Sequence, residues 1–484
     1  MHALAVAHVF SLVVMLFAAT MLVPLGVSYF LDDGALIAYD EAVLATLGAG
    51  ALLWLTTRHA RRELEGRDGF LLVALVWALL PVFGAIPLLL AIRDLSFTEA
   101  YFEAVSGLTA TGATVLSGLD ALPPSINLWR GLMQWLGGIG VVVLAVAILP
   151  MLGVGGRQLF KAETPTPMKD TKLTPRITET AKGLWVVYVF LTVLCFFCYW
   201  IGGMTWIDAL MHSFTTLGLS GFSTHDASFG HFDSPLLEGI AIFFMLVAGI
   251  NFATHFLVFR RRRLMAYVTD PEAKLFIGLM LAAVLGMALH LWTSGIYADF
   301  ATALRYAAFN TVSVATTTGY ATADFNLWPA FAGFFMLFLG SFATCSGSTG
   351  GGIKMIRARL LYAQVYREFV RLVHPSAVAP AKLGRTVVPN NIIFAVLGFF
   401  FVFVATLTTM TLLMMASGLD EVTAVSAVVA TLCNIGPGLG QVGPATTYAS
   451  LSDYQTWVLS LAMLLGRLEL FTLFILLTPV FWRR

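Results

Sequence analysis

Apolar stretches long enough to cross the ~30 Å hydrocarbon core of a bilayer recur along the whole of this 484-residue chain. Ten are placed, near 3–30, 36–57, 69–92, 126–150, 183–203, 236–259, 273–293, 328–346, 389–416 and 456–481. Lipid offers no hydrogen-bond partner to a backbone, so a spanning chain is helical or a closed barrel. Runs of this length specify helices, and the expected class is an all-α polytopic membrane protein. Composition agrees: 58% of residues are hydrophobic and 11% charged, where a soluble domain carries about a quarter charged. One soluble core could not hide that much apolar surface. A soluble enzyme, a disordered chain and a nucleic-acid binder with a basic face are all excluded, and no nucleic-acid partner is expected. The net charge of +1 says nothing further about partners. The four cysteines lie in apolar or Gly-rich surroundings and suggest neither a disulfide framework nor a zinc site. Cys195 and Cys198 have CxxC spacing but read as packing residues of a membrane helix. The first apolar run lacks a basic leading region and is too long for a cleavable signal, so it reads as a span.

Lys and Arg concentrate in 58–67, 157–182, 260–263, at Lys274, in 354–385 and in 483–484, which together hold 24 of the 28. These segments alternate with loops nearly free of basic residues. The positive-inside rule puts them in the cytoplasm, and ten spans then place both termini there. The run Arg260 to Arg263 reads as an anchor against anionic lipid headgroups.

Four segments between spans are too short to cross and too apolar for ordinary loops: 96–112, 205–221, 303–319 and 420–436. Each has the length of a short helix and closes on small or hydroxyl residues and then glycine, at Gly112, Gly221, Gly319 and Gly436. The glycines are 109, 98 and 117 residues apart, so the repeat unit is span, half-helix with loop, span, four times over. The domain division is 1–68 for two extra spans, then repeats at 69–155, 156–263, 264–385 and 386–484.

A chain that enters halfway and returns extended must line a polar path or be buried in protein. Four half-helices about one axis would aim their partly negative C-terminal ends at that path, which favours a cation. The loops after them would offer rings of carbonyl oxygens in place of an ion's hydration shell. The expected filter residues are Ala110, Thr111, Gly112 and Ala113; Leu219, Ser220, Gly221 and Phe222; Thr317, Thr318, Gly319 and Tyr320; and Asn434, Ile435, Gly436 and Pro437. The third set, continued by Ala321, reads TTGYA, two substitutions from the TVGYG of potassium channels. The competing reading is four re-entrant helices that only pack a transporter core.

GLTATGATVLSGLD at 107–120, QWLGGIGVVVLAVAILP at 134–150, GLSGFSTHD at 218–226, NFATHF at 251–256, ATTTGYATADFN at 315–326, CSGSTGGGIK at 345–354 and GRLELFTL at 466–473 carry a resemblance. The whole chain resembles the TrkH/TrkG family of potassium uptake proteins, in the superfamily that includes KtrB and the plant HKT proteins. The resemblance implies a pseudo-fourfold pore made by one chain, with potassium as the transported ion and no cofactor in the chain. It also implies a homodimer in the bacterial inner membrane and a TrkA-like cytosolic regulatory subunit that binds nucleotide. Ala110 stands where many relatives have a hydroxyl residue.

Residues Cys345, Ser346, Gly347, Ser348, Thr349, Gly350, Gly351 and Gly352 should break a helix, since each glycine costs roughly 1 kcal/mol there. The expectation is a loop in the path below the filter that acts as a gate, as in the family, and the competing reading is a patch of small residues for tight helix packing. GSTGGGIK lacks the spacing of a phosphate-binding loop, because Ile353 separates the last glycine from Lys354. Arg467 lies in the tenth apolar run, where an ionisable residue is costly. It is expected to complete the constriction with 345–352, or else to pair with an acid on a neighbouring helix. Asn251 and His255, one turn apart, read as a hydrogen-bonded pair, and Gln134 as a similar buried polar group. Glu103, His212 and Asn310 stand nine residues before their glycines and should brace the half-helices, while Ala427 takes that place in the fourth. Asp120, Asp226 and Asp324 follow three of the loops and would draw cations to the mouth or be solvated. No HExxH, no GxSxG and no cluster of His and Asp ligands points to an enzyme, and no GxGxxG to a nucleotide site in this chain. The functional expectation is potassium uptake through the four loops. A less selective potassium and sodium path, or coupling to protons, remains open.

Overall fold

The computed structural model describes residues 3–60, 64–147, 173–261, 264–383 and 386–483. Basic positions at 61–62, 157–172, 262–263 and 385, the end of the fourth apolar run at 148–150, and the boundary expected at 155–156 lie outside the described residues.

The protein is an all-α polytopic membrane protein. Helices α1 (Ala3–Thr20) and α2 (Leu22–Leu31) run on as one span, and α3 (Leu36–Thr57) returns beside α1. Then a pattern of long helix, short helix and second helix recurs. It comprises α4 (Gly66–Ala91), α5 (Phe97–Leu108) and α6 (Pro124–Ala147), followed by α7 (Leu173–Ile201), α8 (Trp206–Gly218) and the pair α9 (Pro235–Ala248) and α10 (Phe252–Arg261). After α11 (Met265–Thr269) come α12 (Pro271–Thr293), α13 (Phe300–Ala315) and α14 (Ala330–Gly340). Helix α15 (Met355–Val373) leads to a small antiparallel pair, β1 (Lys382–Leu383) with β2 (Thr386–Val387), in which Lys382 faces Val387. The last set is α16 (Asn390–Ala416), α17 (Glu421–Leu432), α18 (Asp453–Arg467), α19 (Phe471–Phe474) and α20 (Pro479–Trp482).

Among the described residues six helices are long and apolar enough to cross a membrane, and eight if two bent pairs each count as one span. The runs at 236–259 and 456–481, expected as spans, are each a bent pair of helices. Between α9 and α10 the chain turns by 93°, and between α18 and α19 by 105°. Breaking a helix at membrane depth frees backbone groups that protein must satisfy. At the first bend the Gly-rich segment does so: Cys345 N donates to Gly249 O at 3.1 Å, and Phe252 N to Gly347 O at 3.0 Å. At the second, Glu469 and Leu470 take left-handed φ values of +55° and +57°, and Leu470 N caps Leu465 O at 2.8 Å. The eighth run, expected at 328–346, is the 11-residue α14, which ends at Gly340. Residues 341–354 then double back, with Ile353 N on Ser341 O at 2.7 Å and Met355 N on Thr344 O at 2.9 Å.

The largest continuous core packs the short helices against the spans. It includes Phe17, Trp77, Phe102, Trp129, Met133, Phe403 and Met463. Leu16, Phe401 and Ile201 project outward from the spans, as lipid-facing residues do.

Candidate functional site

Each short helix begins with a side-chain cap written in the sequence. Ser96 accepts from Glu99 N while Glu99 accepts from Ser96 N, a capping box. Thr205 accepts from Asp208 N, Asp299 from Thr302 N, and Asp420 from Thr423 N. Hydrogen bonds from the Thr302 amide and hydroxyl hold the Asp299 carboxyl below the usual carboxylate range, and those from Thr423 do the same for Asp420. The third helix starts at Phe300, three residues before the expected 303, because Asp299 caps it there.

All four helices end in one motif. The amides of Ala110, Leu219, Thr317 and Asn434 donate three residues back, to Gly107 O (3.0 Å), Thr216 O (3.2 Å), Val314 O (3.0 Å) and Thr431 O (3.2 Å). The next amides, of Thr111, Ser220, Thr318 and Ile435, donate five residues back, to Ser106 O (2.9 Å), Thr215 O (3.1 Å), Ser313 O (2.8 Å) and Ala430 O (2.7 Å). This is the Schellman arrangement, which calls for a left-handed residue after the helix and usually takes glycine. Here Ala110, Leu219, Thr317 and Asn434 adopt it, with φ of +53°, +51°, +60° and +53°. Ala110, Leu219 and Thr317 bear roughly 1–2 kcal/mol for the Cβ, while asparagine takes this position more readily. The same left-handed choice at four equivalent positions marks a conformation held for use.

Two residues later the glycines are left-handed again, with φ of +85°, +68°, +89° and +103° at Gly112, Gly221, Gly319 and Gly436. The loops also close on each other. A Cβ on Gly112 would stand 2.1 Å from Ser220 O, one on Gly221 2.2 Å from Thr318 O, one on Gly319 2.2 Å from Ile435 O, and one on Gly436 2.9 Å from Thr111 O. Each glycine thus abuts the carbonyl that precedes the corresponding glycine of the next loop, and the fourth returns to the first. The structure therefore brings the four expected sets into one closed ring.

The family model described as TrkH, cation transport protein, matches residues 39–482. The chain belongs to the TrkH family. It is 49% identical over 479 residues to the Trk system potassium uptake protein TrkH of Halomonas elongata, covering 99% of this chain and 98% of that one. It is 46% identical over 484 residues to the protein of the same name from Escherichia coli K12, covering 100% of both. Among solved structures it is similar to the crystal structure of the potassium transporter TrkH from Vibrio parahaemolyticus, with a TM-score of 0.92, 43% identity and 100% of both chains covered.

In this TrkH-family chain the polar residues of the half-helices brace the loops, mostly their own. Glu103 accepts from Thr114 Oγ1 at 3.0 Å and Val115 N at 3.1 Å, and pairs with Arg130 of α6 at 2.8 Å. His212 bonds Ser223 Oγ at 3.0 Å through Nε2, and Asn310 bonds Thr322 through Nδ2 (3.0 Å) and Oδ1 (3.2 Å). Where the fourth repeat has Ala427, its neighbour Ser426 takes over: its hydroxyl accepts from Leu439 N at 2.9 Å and donates to Leu439 O at 3.1 Å. Gln134 belongs to this frame as well, donating to Ser220 O at 2.6 Å and accepting from Phe222 N at 3.2 Å.

Side chains after the glycines reach back to the preceding repeat. The Phe222 ring lies under the Arg130 guanidinium at 4.3 Å. Tyr320 puts its hydroxyl among Thr215, Thr216 and His212 O of α8. Pro437 Cδ would be 2.9 Å from a Cβ on Gly319. Ala113 is too short for this role, and Asn434 makes the join between last and first loops instead, donating to Thr111 Oγ1 at 2.8 Å. Tyr448 helps, giving its amide to Thr114 O at 2.8 Å and its hydroxyl to Gly436 O at 2.7 Å. Sequence reading missed Tyr448, whose only signal was an isolated aromatic in a polar loop.

Residues 345–352 lie directly against the C-terminal ends of the short helices. Thr349 Oγ1 donates to Leu217 O at 2.9 Å, and Gly351 N to Thr317 Oγ1 at 2.8 Å. A Cβ on Gly351 would stand 2.0 Å from Cys433 O, so only glycine fits. Ser348 donates to Cys345 O at 2.6 Å, and Ser346 N to Glu272 at 2.8 Å. Arg467 is buried and makes no ion pair among the described residues. Its guanidinium donates to Thr349 O at 2.9 Å and to Gly137 O of α6 at 3.0 Å, and its Nε has no partner. It therefore bridges the Gly-rich loop to the wall of the first repeat. Glu469 turns away and pairs with Arg357 at 2.5 Å.

One expectation needs correction. Asn251 and His255 do not bond through their side chains. His255 uses Tyr267 (2.7 Å) and Val247 O (2.8 Å), while Asn251 accepts from Ala253 N and lies against Gly347. The bend at 249–251 turns Asn251 toward the loop and separates the two. The mouth aspartates accept backbone hydrogen bonds, Asp226 from Gly118 N and Leu119 N, Asp120 from Asp226 N, and Asp324 from Asn326 N, while Asp120 and Asp226 stay exposed.

The Glu103–Arg130 pair is fully buried, with both side chains at 0% exposure. Removing one partner strands a buried charge, which costs about 3–5 kcal/mol. Arg130→Met is expected to lower the melting temperature of the detergent-purified protein sharply. The double variant with Glu103→Leu should recover part of the loss, because it strands no charge, but not all, because Val115 N and Thr114 Oγ1 lose their acceptor.

Proposed function

We propose that this protein takes up potassium across the bacterial inner membrane, as a dimer of identical chains each with its own pore. The carbonyls of residues 110–113, 219–222, 317–320 and 434–437 act as the filter, and residues 345–352 with Arg467 as the gate. The observation that carries the reading is the closed ring of glycines and carbonyls, since four backbone loops can replace an ion's hydration shell without side-chain charge. The names of its close relatives, potassium uptake proteins of the Trk system, support potassium as the ion. No covalent step is required. The membrane potential supplies about 2.3 kcal/mol per charge for each 100 mV. Regulation belongs to a TrkA-like cytosolic subunit that binds nucleotide, a reading supported by the resemblance to Trk system proteins and by the basic segments expected on the cytosolic side. Co-purification with such a subunit from the same host tests the partnership, and its absence under conditions that preserve the dimer counts against it.

A second reading, a path that also passes sodium, rests on one asymmetry. Ser220 O is engaged by Gln134 and Gly436 O by Tyr448, which leaves those carbonyls less free to hold an ion. Flux into liposomes with potassium and sodium in competition decides between the two. Strong preference for potassium is the expected outcome; equal flux keeps the pore and removes the specificity.

A further inference from the structure

No ligand cluster is visible in the sequence, yet the fold brings one together beyond the ring. Asp120 follows the first loop, and His225 and His231 follow the second. One donor atom from each lies within 4.8 Å of the others. His225 Nδ1 bonds Asp120 Oδ1 directly. The rings of His225 and His231 stack with centroids 3.4 Å apart and planes 4° from parallel. Asp120 and His231 are exposed, and His225 is half-buried.

The other face of His225 carries the second observation. Its Nε2 is buried with no hydrogen-bond partner, and the nearest acid oxygen is Asp208 Oδ1 at 3.5 Å. Asp208 itself is fixed by Thr205 (2.6 Å) and Thr224 (2.7 Å). A histidine that ligates a metal through one nitrogen normally gives the other N–H to a carboxylate, which sets its tautomer and orientation. Here Nδ1 faces the cluster and Nε2 faces a held carboxylate.

We propose that Asp120, His225 and His231 form a binding site for a transition-metal dication of the zinc class, distinct from the potassium path. Two imidazoles and one carboxylate suit zinc, with water completing a tetrahedral set. The dication takes the place of the direct contact between His225 Nδ1 and Asp120 Oδ1. Parallel rings cannot both aim lone pairs at one ion between their planes, so the exposed His231 ring turns about its Cβ–Cγ bond to complete the site. Asp120 already accepts from Asp226 N, and Asp226 from Gly118 N and Leu119 N. The ion therefore joins two segments that are already in register, and it links the first repeat to the second.

The test is titration of the full-length, tag-free, detergent-purified protein with zinc chloride by calorimetry in two buffers of different ionisation enthalpy. Saturable binding near one ion per chain with proton release is expected. His231→Ala should weaken it at least about tenfold, equivalent to ~1.4 kcal/mol, and His231→Asp should retain part of it. Asp120→Asn, which keeps the shape of the side chain, should weaken it similarly. Cobalt in place of zinc should give the intense visible absorption of a tetrahedral site in the parent protein and lose it in His231→Ala. No saturable binding, or binding unchanged by both His231→Ala and Asp120→Asn, overturns the proposal. His231 is exposed and makes no hydrogen bond that holds the fold among those described, so loss of binding in that variant, with an unchanged melting temperature, is not a folding defect.

Discussion

Gly319→Ala should reduce potassium flux in liposomes at least about tenfold, a change of ~1.4 kcal/mol in the barrier. The added methyl meets two obstacles. At φ +89° a side chain is strained by roughly 1–2 kcal/mol, and its Cβ would stand 2.2 Å from Ile435 O. Since real Cβ atoms essentially never come within 3.0 Å of a neighbour, the Ile435 carbonyl or the Gly319 backbone must shift by most of an ångström. Either movement opens the ring where the third and fourth loops meet. Gly295→Ala separates the two causes. Gly295 has φ +72° but open space around its Cβ position, so it carries the strain without the collision and should leave flux unchanged. Unaltered flux in a folded Gly319→Ala protein would remove the ring from the ion's path.

Arg467→Ala should act in the opposite direction and raise flux by about one to two orders of magnitude. A unit charge at ~4 Å from a passing cation raises its energy by on the order of 4 kcal/mol at an effective dielectric constant of 20, and part of that is recovered when the site rehydrates. The arginine is also a strut, holding Thr349 O and Gly137 O at once. Arg467→Lys distinguishes charge from strut. Lysine keeps the charge but lacks the planar fork. Low flux in the lysine variant means that the charge sets the barrier, and raised flux means that the two-point brace does. If Arg467→Ala leaves flux where it was, the gate lies elsewhere.

The half-helices were legible because their signals are local. Length, apolar content and a closing glycine are all read within about a dozen residues of chain, whereas the cap at Asp299, which starts the third helix three residues before the expected 303, is not part of that pattern. The ring was inferable only from repetition, since one TTGY is ordinary and four equivalents are not. The bends were not legible. A hydropathy window sees 236–259 and 456–481 as continuous apolar runs, and nothing local says that Gly249 O will be met by Cys345 N nearly a hundred residues later. The partner of Arg467 was open for the same reason: an arginine can be satisfied by an acid or by carbonyls, and only the fold shows that Thr349 O and Gly137 O are within reach. Tyr448 and the cluster of Asp120, His225 and His231 went unseen because their members come from different repeats or from loops with no periodic pattern.

The order in which the ring closes has a consequence for how the protein is made. Three of the four glycine–carbonyl contacts join loops synthesised in succession, but the last joins Gly436 to Thr111 O. Asn434 and Tyr448 fasten the same seam. The ribosome delivers the repeats to the membrane one at a time, so the first loop waits with one flank open until the final repeat has been inserted. A chain that stalls or is cut before then holds a crescent of loops instead of a ring, with no complete cage for a dehydrated ion. On the proposed reading of the ring as the ion filter, an unfinished copy therefore lacks a complete filter until the C-terminal repeat is in place.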